Sequence, residues 1–483
     1  MPAAQAVGIV MSGHIEGASR DQATLFPETL DELIAPDAMV RVVDAFVGTL
    51  DLAALGFAKA LPARTGRPSY APGDLLKLYL YGYLNQIRSS RALERECRRN
   101  VEVLWLLNRL APDFKTIADF RKDNRAPLTL VCRALVQFCR GEGLVGGALV
   151  AVDGSKFAGQ NSPKRAWTAA QLEKKGKQLD TRIAAYLARL DEADAADGGA
   201  PDAVGDAKAA LEALRVRRAD LAQAVLLMQS MEISQVALSD PDSRLLRGPH
   251  GAVVGYNVQT AVDARHGLIV HHAVTQATSD QNQLATMAEG AKRALEVEAL
   301  EVVADAGYAD AEQLKACEAA GVTAFVPHPR TANPHGGFDR SRFVYEAESD
   351  TLRCPAGRSL RFKSASAKNQ ARYYVCESCE ECALKARCTK AAVRWVSRHE
   401  HEAVLEALAT RLEQRPAILD QRRCLAEHPF GIIKHMMGVP RLLCRGLAAV
   451  SAEMALSVTA FNLKRAVALL GGPEILRRFA VAP

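Results

Sequence analysis

The spacing of apolar and polar positions changes character twice along this chain. Between residues 28 and 140 it is helical, in short pieces. Residues 74–86 (DLLKLYLYGYLNQ) are apolar nearly all round, as a buried helix is. Asp51 opens a further helical stretch, and residues 64–72 (RTGRPSYAP) break it with Gly and Pro. Arg88, Arg91, Arg95 and Arg98 follow at spacings of three and four, so on a helix they form one stripe. Thr116 and Asp119 suit the start of another helix.

After Gly147 the period shortens. Residues 148–152 (ALVAV) are a short apolar run, expected to be a buried strand that ends at Asp153. Residues 256–262 and 268–274 alternate like strands, with DARHG between them as a hairpin turn. Residues 281–295 suit a helix, and 301–304 (EVVA) a strand ending at Asp305. A helix (309–320), a strand (322–326) and two long helical stretches (402–426, 448–470) complete the pattern. Three strands, then alternating helices and strands, predict a mixed α/β sheet. Two segments interrupt it. Residues 167–231 read as two long helices joined around Gly198–Gly205, an antiparallel arm. Residues 330–396 hold five of the eleven cysteines and few helix signals.

Composition narrows the partners only slightly. The 483 residues are 49% hydrophobic and 24% charged, enough for a sizeable core, and their length suits about three domains of roughly 100–200 residues. No run of 18 apolar residues and no basic-then-apolar start is present, so neither a membrane span nor a signal peptide is expected. Eleven cysteines in a long chain without such a signal suggest the reducing cytoplasm. A net charge of +6 permits a polyanionic partner without requiring one.

The chemistry rests on carboxylates. Asp153 (AVDGSK) and Asp305 (VADAGY) each follow an apolar run, where a strand holds a side chain rigidly. Two such groups side by side can bind divalent metal ions through oxygen. A lone Asp at a strand end is more often a turn cap. Asp240, Asp242, Asp263 and Asp310 are read that way, and His271 and His272 are read as structural.

The blocks taken in order say more than any one of them. The segment GRPSYAPGDLLKLYLYGYLNQIRSSRALEREC resembles the N-terminal helical domain of bacterial insertion-sequence transposases. DGSK, GYNVQTAVD, VADAGY and EHPFGIIK resemble, in order, the blocks of their DDE catalytic domain, so that the likeness spans about residues 20–465. It implies an RNase H-like core in which Asp153, Asp305 and Glu427 bind Mg2+ or Mn2+. The family pattern around the glutamate is Tyr, two residues, Arg, three residues, Glu, six residues, Lys. Arg423, Glu427 and Lys434 match it, while Asp420 stands at the Tyr position. Spacings of four and seven place the three on one helical face, with two cations available to DNA phosphates; Pro429 interrupts that face.

Cys379 and Cys382 form a CxxC pair, with Cys388 after it and Cys354 before it. Four thiolates suit a structural tetrahedral zinc, and reduced free thiols are the alternative. The Arg88, Arg91, Arg95 and Arg98 stripe suits phosphate contacts, which give salt-dependent affinity with little sequence preference. The arm is either a dimerisation hairpin or a DNA clamp.

The expectation is therefore an α/β protein. Residues 1–142 form an α-helical DNA-binding domain, and 143–475 an RNase H-like DDE domain with a mixed sheet. Two insertions interrupt the latter, a helical hairpin (160–235) and a Cys-containing segment (329–396). The resemblance implies cleavage of double-stranded DNA at terminal inverted repeats and joining to target DNA, by a homodimer or larger assembly at the nucleoid and away from membranes. An inactive transposase-derived DNA-binding protein and a nuclease without strand transfer are the alternatives.

Overall fold

The computed structural model describes residues 29–481, apart from 63–64, 66–67, 163, 165, 196–200, 249–250 and 328–336. Six helices come first: α1 (Met39–Gly48), α2 (Pro72–Leu84), α3 (Ser90–Arg99), α4 (Val101–Leu106), α5 (Phe114–Asp123) and α6 (Arg125–Gly141). Their starts follow ordinary capping chemistry. Ser89 accepts from Ala92 N–H and opens α3; Asn100 and Asp113 do the same for α4 and α5. α2 is buried almost throughout, as its uninterrupted apolar pattern requires. The helical stretch expected at Asp51 is instead a turn, closed by the Asp51 carboxylate on the amides of Ala53 and Ala54.

A six-stranded sheet comes next in the chain. It contains β1 (Leu149–Ala158), β4 (Arg244–Gly248), β5 (Gly251–Asp263), β6 (Ile269–Thr275), β7 (Leu300–Val303) and β8 (Val322–Phe325). The order is β4-β5-β1-β7-β8, with β6 also paired to β5. β1, β5 and β6 are antiparallel neighbours, whereas β7 and β8 run parallel to β1 on its other side. Helices α9 (Leu284–Leu295) and α10 (Ala311–Ala319) make the connections into β7 and β8. This is the RNase H-like arrangement.

β1 does not stop at Asp153, where its apolar run ends. It continues to Ala158, because Gly154–Ala158 keep pairing with β5 after the pairing with β7 has ended at Ala151.

The first insertion begins with β2 (Ala166–Trp167) and continues through α7 (Ala169–Ala195) and α8 (Pro201–Ser230) to β3 (Val236–Ala237). β2 pairs antiparallel with β3 and closes the base of the arm. Part of the expected joining loop, around Gly198, lies outside the described residues; Gly205 lies inside α8, so the helix begins earlier than expected. The second insertion is a five-stranded antiparallel sheet of β9 (Val344–Glu346), β10 (Thr351–Arg353), β11 (Ser359–Ser366), β12 (Ala371–Cys376) and β13 (Arg394–His399), with one turn of helix α11 (Lys385–Cys388). Its strands were not legible as such, since most of β11 is solvated and carries no apolar alternation.

The last helices are α12 (Glu402–Gln414), α13 (Ile418–Gly431), α14 (Leu447–Leu470) and α15 (Gly472–Val481). The single helix expected over residues 402–426 is split because Pro416 cannot continue the hydrogen-bond ladder. Pro429 is accommodated inside α13, whose end runs on into a π-turn over Ile432–Met436. α14 packs against α2, α6 and β6, and one hydrophobic core runs from Ile34 to Phe479 through both the helical and sheet regions. No single helix among the described residues is long and apolar enough to cross a membrane.

A buried ion pair locks this junction. Arg88 Nη1 lies 3.3 Å from Glu453 Oε1 and donates to the Arg441 carbonyl at 3.0 Å. Glu453, fully buried in α14, also accepts from the amides of Leu443 and Cys444. Arg88 therefore leaves the expected DNA-facing stripe. It precedes α3, and its guanidinium is committed to the interior.

The residues read as structural take structural places. Asp263 accepts from the amides of Gly146, Gly147 and Arg265; Asp310 caps α10; Asp240 accepts from Tyr256 Oη and Gly446 N–H, and Asp242 from Leu447 N–H. His271 packs against Gly290 of α9, where an added Cβ would lie 2.2 Å from its Nε2. Burial lowers the pKa of His271 to about 4 and of His272 to about 3. Below the ordinary value of about 6.5 the unfolded chain binds protons that the folded chain refuses. Folding should thus lose about 2 kcal/mol per histidine between pH 6.5 and 5. Urea midpoints measured from pH 7 to 5 should fall in the wild type, and the slope should be shallower in His272→Gln.

Candidate active site

Strand alternation aims the first carboxylate. Leu149 and Ala151 of β1 pack with Val303, Phe325, Ile418 and Ala426, on the side covered by α13; Val150 and Val152 face the main core. Asp153 continues the first series, so its side chain is directed towards α13. It stands just beyond the last residue of β1 paired with β7, where the sheet opens. Asp305 lies two residues beyond the end of β7 and caps a short 3-10 turn, accepting from Gly307 N–H at 2.8 Å.

The two carboxylates meet at a residue that the sequence pattern did not single out. Arg422 Nη2 of α13 lies 3.2 Å from Asp153 Oδ1 and 3.4 Å from Asp305 Oδ2. Arg422 and Asp153 are largely enclosed, whereas Asp305 is 43% exposed. Burial pushes the pKa of Asp153 up to about 6; Arg422 and the Gly154 amide pull it down, while Asp305 and Asp280 push it up.

Asp280 is a second acidic neighbour that sequence reasoning missed. Its Oδ1 accepts from Asn257 Nδ2 at 2.7 Å and Gln259 Nε2 at 2.6 Å, two buried amides of β5. Tyr308, fully buried, donates to Gln259 Oε1 and completes a polar chain beneath the site. Gly154 is required here. A Cβ on it would lie 2.3 Å from Gln259 Nε2 and 2.5 Å from Asp280 Oδ1. A signal was present in GYNVQTAVD, whose polar Asn257 and Gln259 interrupt an otherwise apolar strand.

Glu427 is not brought to the pair. It is exposed on α13, and its side chain makes no hydrogen bond or ion pair among the described residues. The cause is helical phase. Ile418, Arg422 and Ala426 repeat every four residues and face the sheet, and Glu427 is rotated about 100° from Ala426. Arg423, four residues before Glu427, shares its exposed side. Lys434 does not share it, because the π-turn carries it inward. Its Nζ donates to Ser155 Oγ at 2.6 Å and Lys156 O at 3.0 Å, and lies 4.5 Å from the centre of the Phe157 ring. Burial lowers the pKa of Lys434, and the charge of Asp153 opposes that shift.

Arg91, Arg95 and Arg98 are exposed on α3, with Arg98 3.5 Å from Glu94 and Arg91 over the Phe114 ring at 5.2 Å. In the second insertion, Cys354, Cys379, Cys382 and Cys388 line one cavity of about 20 Å³, with Cys376 beside them. All eleven cysteines are free. Among the described residues, no three His, Cys, Asp or Glu side chains are set closely enough to hold a metal ion as they stand.

Two family models match the chain: a transposase domain (DUF772) over residues 28–123, and a transposase DDE domain over residues 353–467. The second match contains Arg422, Glu427 and the cysteines, and excludes Asp153 and Asp305. No curated protein matches. A solved structure, the piggyBac transposase synaptic complex with hairpin DNA, aligns with 92% of this chain and 79% of its own at 8% identity. The TM-score is 0.31.

Gly154→Ala should cost about 1–3 kcal/mol by overpacking the Asp280–Gln259 contact. Thermal unfolding is the measurement, and an unchanged midpoint would mean that the two groups can part without loss.

Proposed function

This chain belongs to the DDE transposases of insertion sequences, and we propose that it cuts double-stranded DNA at the terminal inverted repeats of its element and joins the freed 3′-hydroxyls to target DNA. The convergence of Asp153 and Asp305 on one point beside α13 carries the reading. Their oxygens already surround a cation, the Arg422 guanidinium, and an all-oxygen donor set suits Mg2+ or Mn2+. When bound, such ions activate the attacking oxygen and stabilise the leaving one.

The chain's own residues supply the rest. Asp153 is held rigidly by β5, and Asp305 by its turn, so the pair is positioned before any substrate arrives. Glu427 is the third ligand on the family pattern, carried on the same helix as Arg422. Lys434 places a cation against β1 next to Asp153. Arg423 on α13, and Arg91, Arg95 and Arg98 on α3, hold DNA phosphates. The assembly on DNA is a homodimer or larger, working at the cytoplasmic nucleoid.

The second insertion carries a structural zinc on this reading. Its core is small, with Phe343, Leu352, Leu360, Tyr374, Cys376, Cys379 and Val396 as the buried members, and such a unit ordinarily needs a staple. Cys354, Cys379, Cys382 and Cys388 line one cavity and would have to draw closer together to hold the ion. Elemental analysis of protein purified in reducing buffer without chelator should find one zinc per chain, lost in Cys379→Ser and kept in Cys376→Ser; zinc-free wild type would remove the assignment.

Asp153→Asn, Asp305→Asn and Glu427→Gln should each abolish cleavage and joining while leaving gel-shift affinity for end DNA largely intact. Arg91→Ala with Arg95→Ala should do the opposite, and lower the salt slope of binding by about 2. Arg88→Ala should lower stability by about 3–5 kcal/mol through the orphaned Glu453. Near wild-type joining by Glu427→Gln would remove Glu427 from the triad.

A further inference from the structure

Resting on the reading of Asp153 and Asp305 as the ion-binding pair, we propose that Arg422 is a place-holding cation, filling the place between the carboxylates that a divalent ion would take and having to leave before it binds.

The geometry is specific. One guanidinium nitrogen, Nη2, reaches both carboxylates, and the Arg422 side chain is only 16% exposed. Its Nε is buried without a hydrogen-bond partner, so the group is held there by the two ion pairs and by little else. Two carboxylates directed at one point repel each other, and Asp280 adds a third negative charge behind them. In the chain without metal, a cation stands between them, one of them takes up a proton, or they part. Lys434 does not serve, because its Nζ is engaged by Ser155 and the Lys156 carbonyl. A divalent ion held by Asp153 and Asp305 would take the place between them that Arg422 now fills. Ion binding and release of Arg422 are therefore one competitive equilibrium.

Mn2+ binding to the full chain, measured by calorimetry without DNA, tests this directly. Arg422→Gln should bind Mn2+ about ten-fold more tightly than wild type, as expected for removing a partly buried competing ion pair. Arg423→Gln removes the same charge one residue away on the exposed side, and should stay within about two-fold of wild type if the effect is local competition rather than net charge. Arg422→Lys keeps a competing cation and should gain much less than Arg422→Gln, which protects the test should the glutamine variant fold poorly. Unchanged or weaker Mn2+ affinity in folded Arg422→Gln, with binding still lost in Asp153→Asn, would overturn the place-holder and leave the two-carboxylate site standing. Equal tightening by Arg423→Gln would overturn it too. Absence of Mn2+ binding in every folded variant would sink both.

Discussion

Everything at the candidate site depends on β1 being longer than its parallel neighbour. β7 pairs with Leu149–Ala151 only, while β5 supports β1 all the way to Ala158. The sheet is therefore closed beneath Asp153 and open beside it. A strand buried on both faces up to Val152 acquires, within one residue, a rigid backbone with an accessible flank. Asp305 enters that flank because β7 ends there. Strand period then divides the chemistry between two faces, with Asp153 towards α13 and Gly154 towards Asp280, Gln259 and Tyr308.

The helical N-terminal region is fastened to this sheet through the far end of the chain. α14 fills the space between α2, α6 and β6, and the Arg88–Glu453 pair closes the seam, with Glu453 fully buried and Arg88 largely enclosed. Pairing a buried charge is expensive to build and more expensive to break. The contact therefore fixes a specific arrangement more than it adds net stability. The arginines of α3 are thereby carried on the same packed body as the aspartates. The Cys-rich sheet is the contrast, with a separate and much smaller core and a cluster of thiols at its centre.

Much of this was legible along the chain. Apolar runs marked β1 and β7 and placed an aspartate at or near the end of each, period-2 alternation marked β5 and β6, and local punctuation marked the turn at Asp263 and the cap at Asp310. These are decided by neighbours a few residues away, so a linear reading can reach them. The strands of the second insertion escaped because their solvated faces carry no apolar alternation, and the continuation of β1 escaped because Gly, Ser and Lys there are held by pairing with β5 rather than by burial.

The side chains around the aspartates were decided elsewhere. Whether Arg422 or Glu427 faces the sheet depends on which stripe of α13 packs on Leu149, Ala151 and Val303, and the chain alone offers two adjacent arginines without choosing between them. Asp280 acquires meaning only where Asn257 and Gln259 present their amides across Gly154, and Arg88 only where Glu453 is buried opposite it. Most of the helices, the core strands and the two aspartates near strand ends were settled by the chain itself, because hydrophobic period and backbone chemistry are local. The tertiary structure alone decided which charges meet, because an ion pair between residues hundreds of positions apart is settled by the phase and depth at which their elements pack.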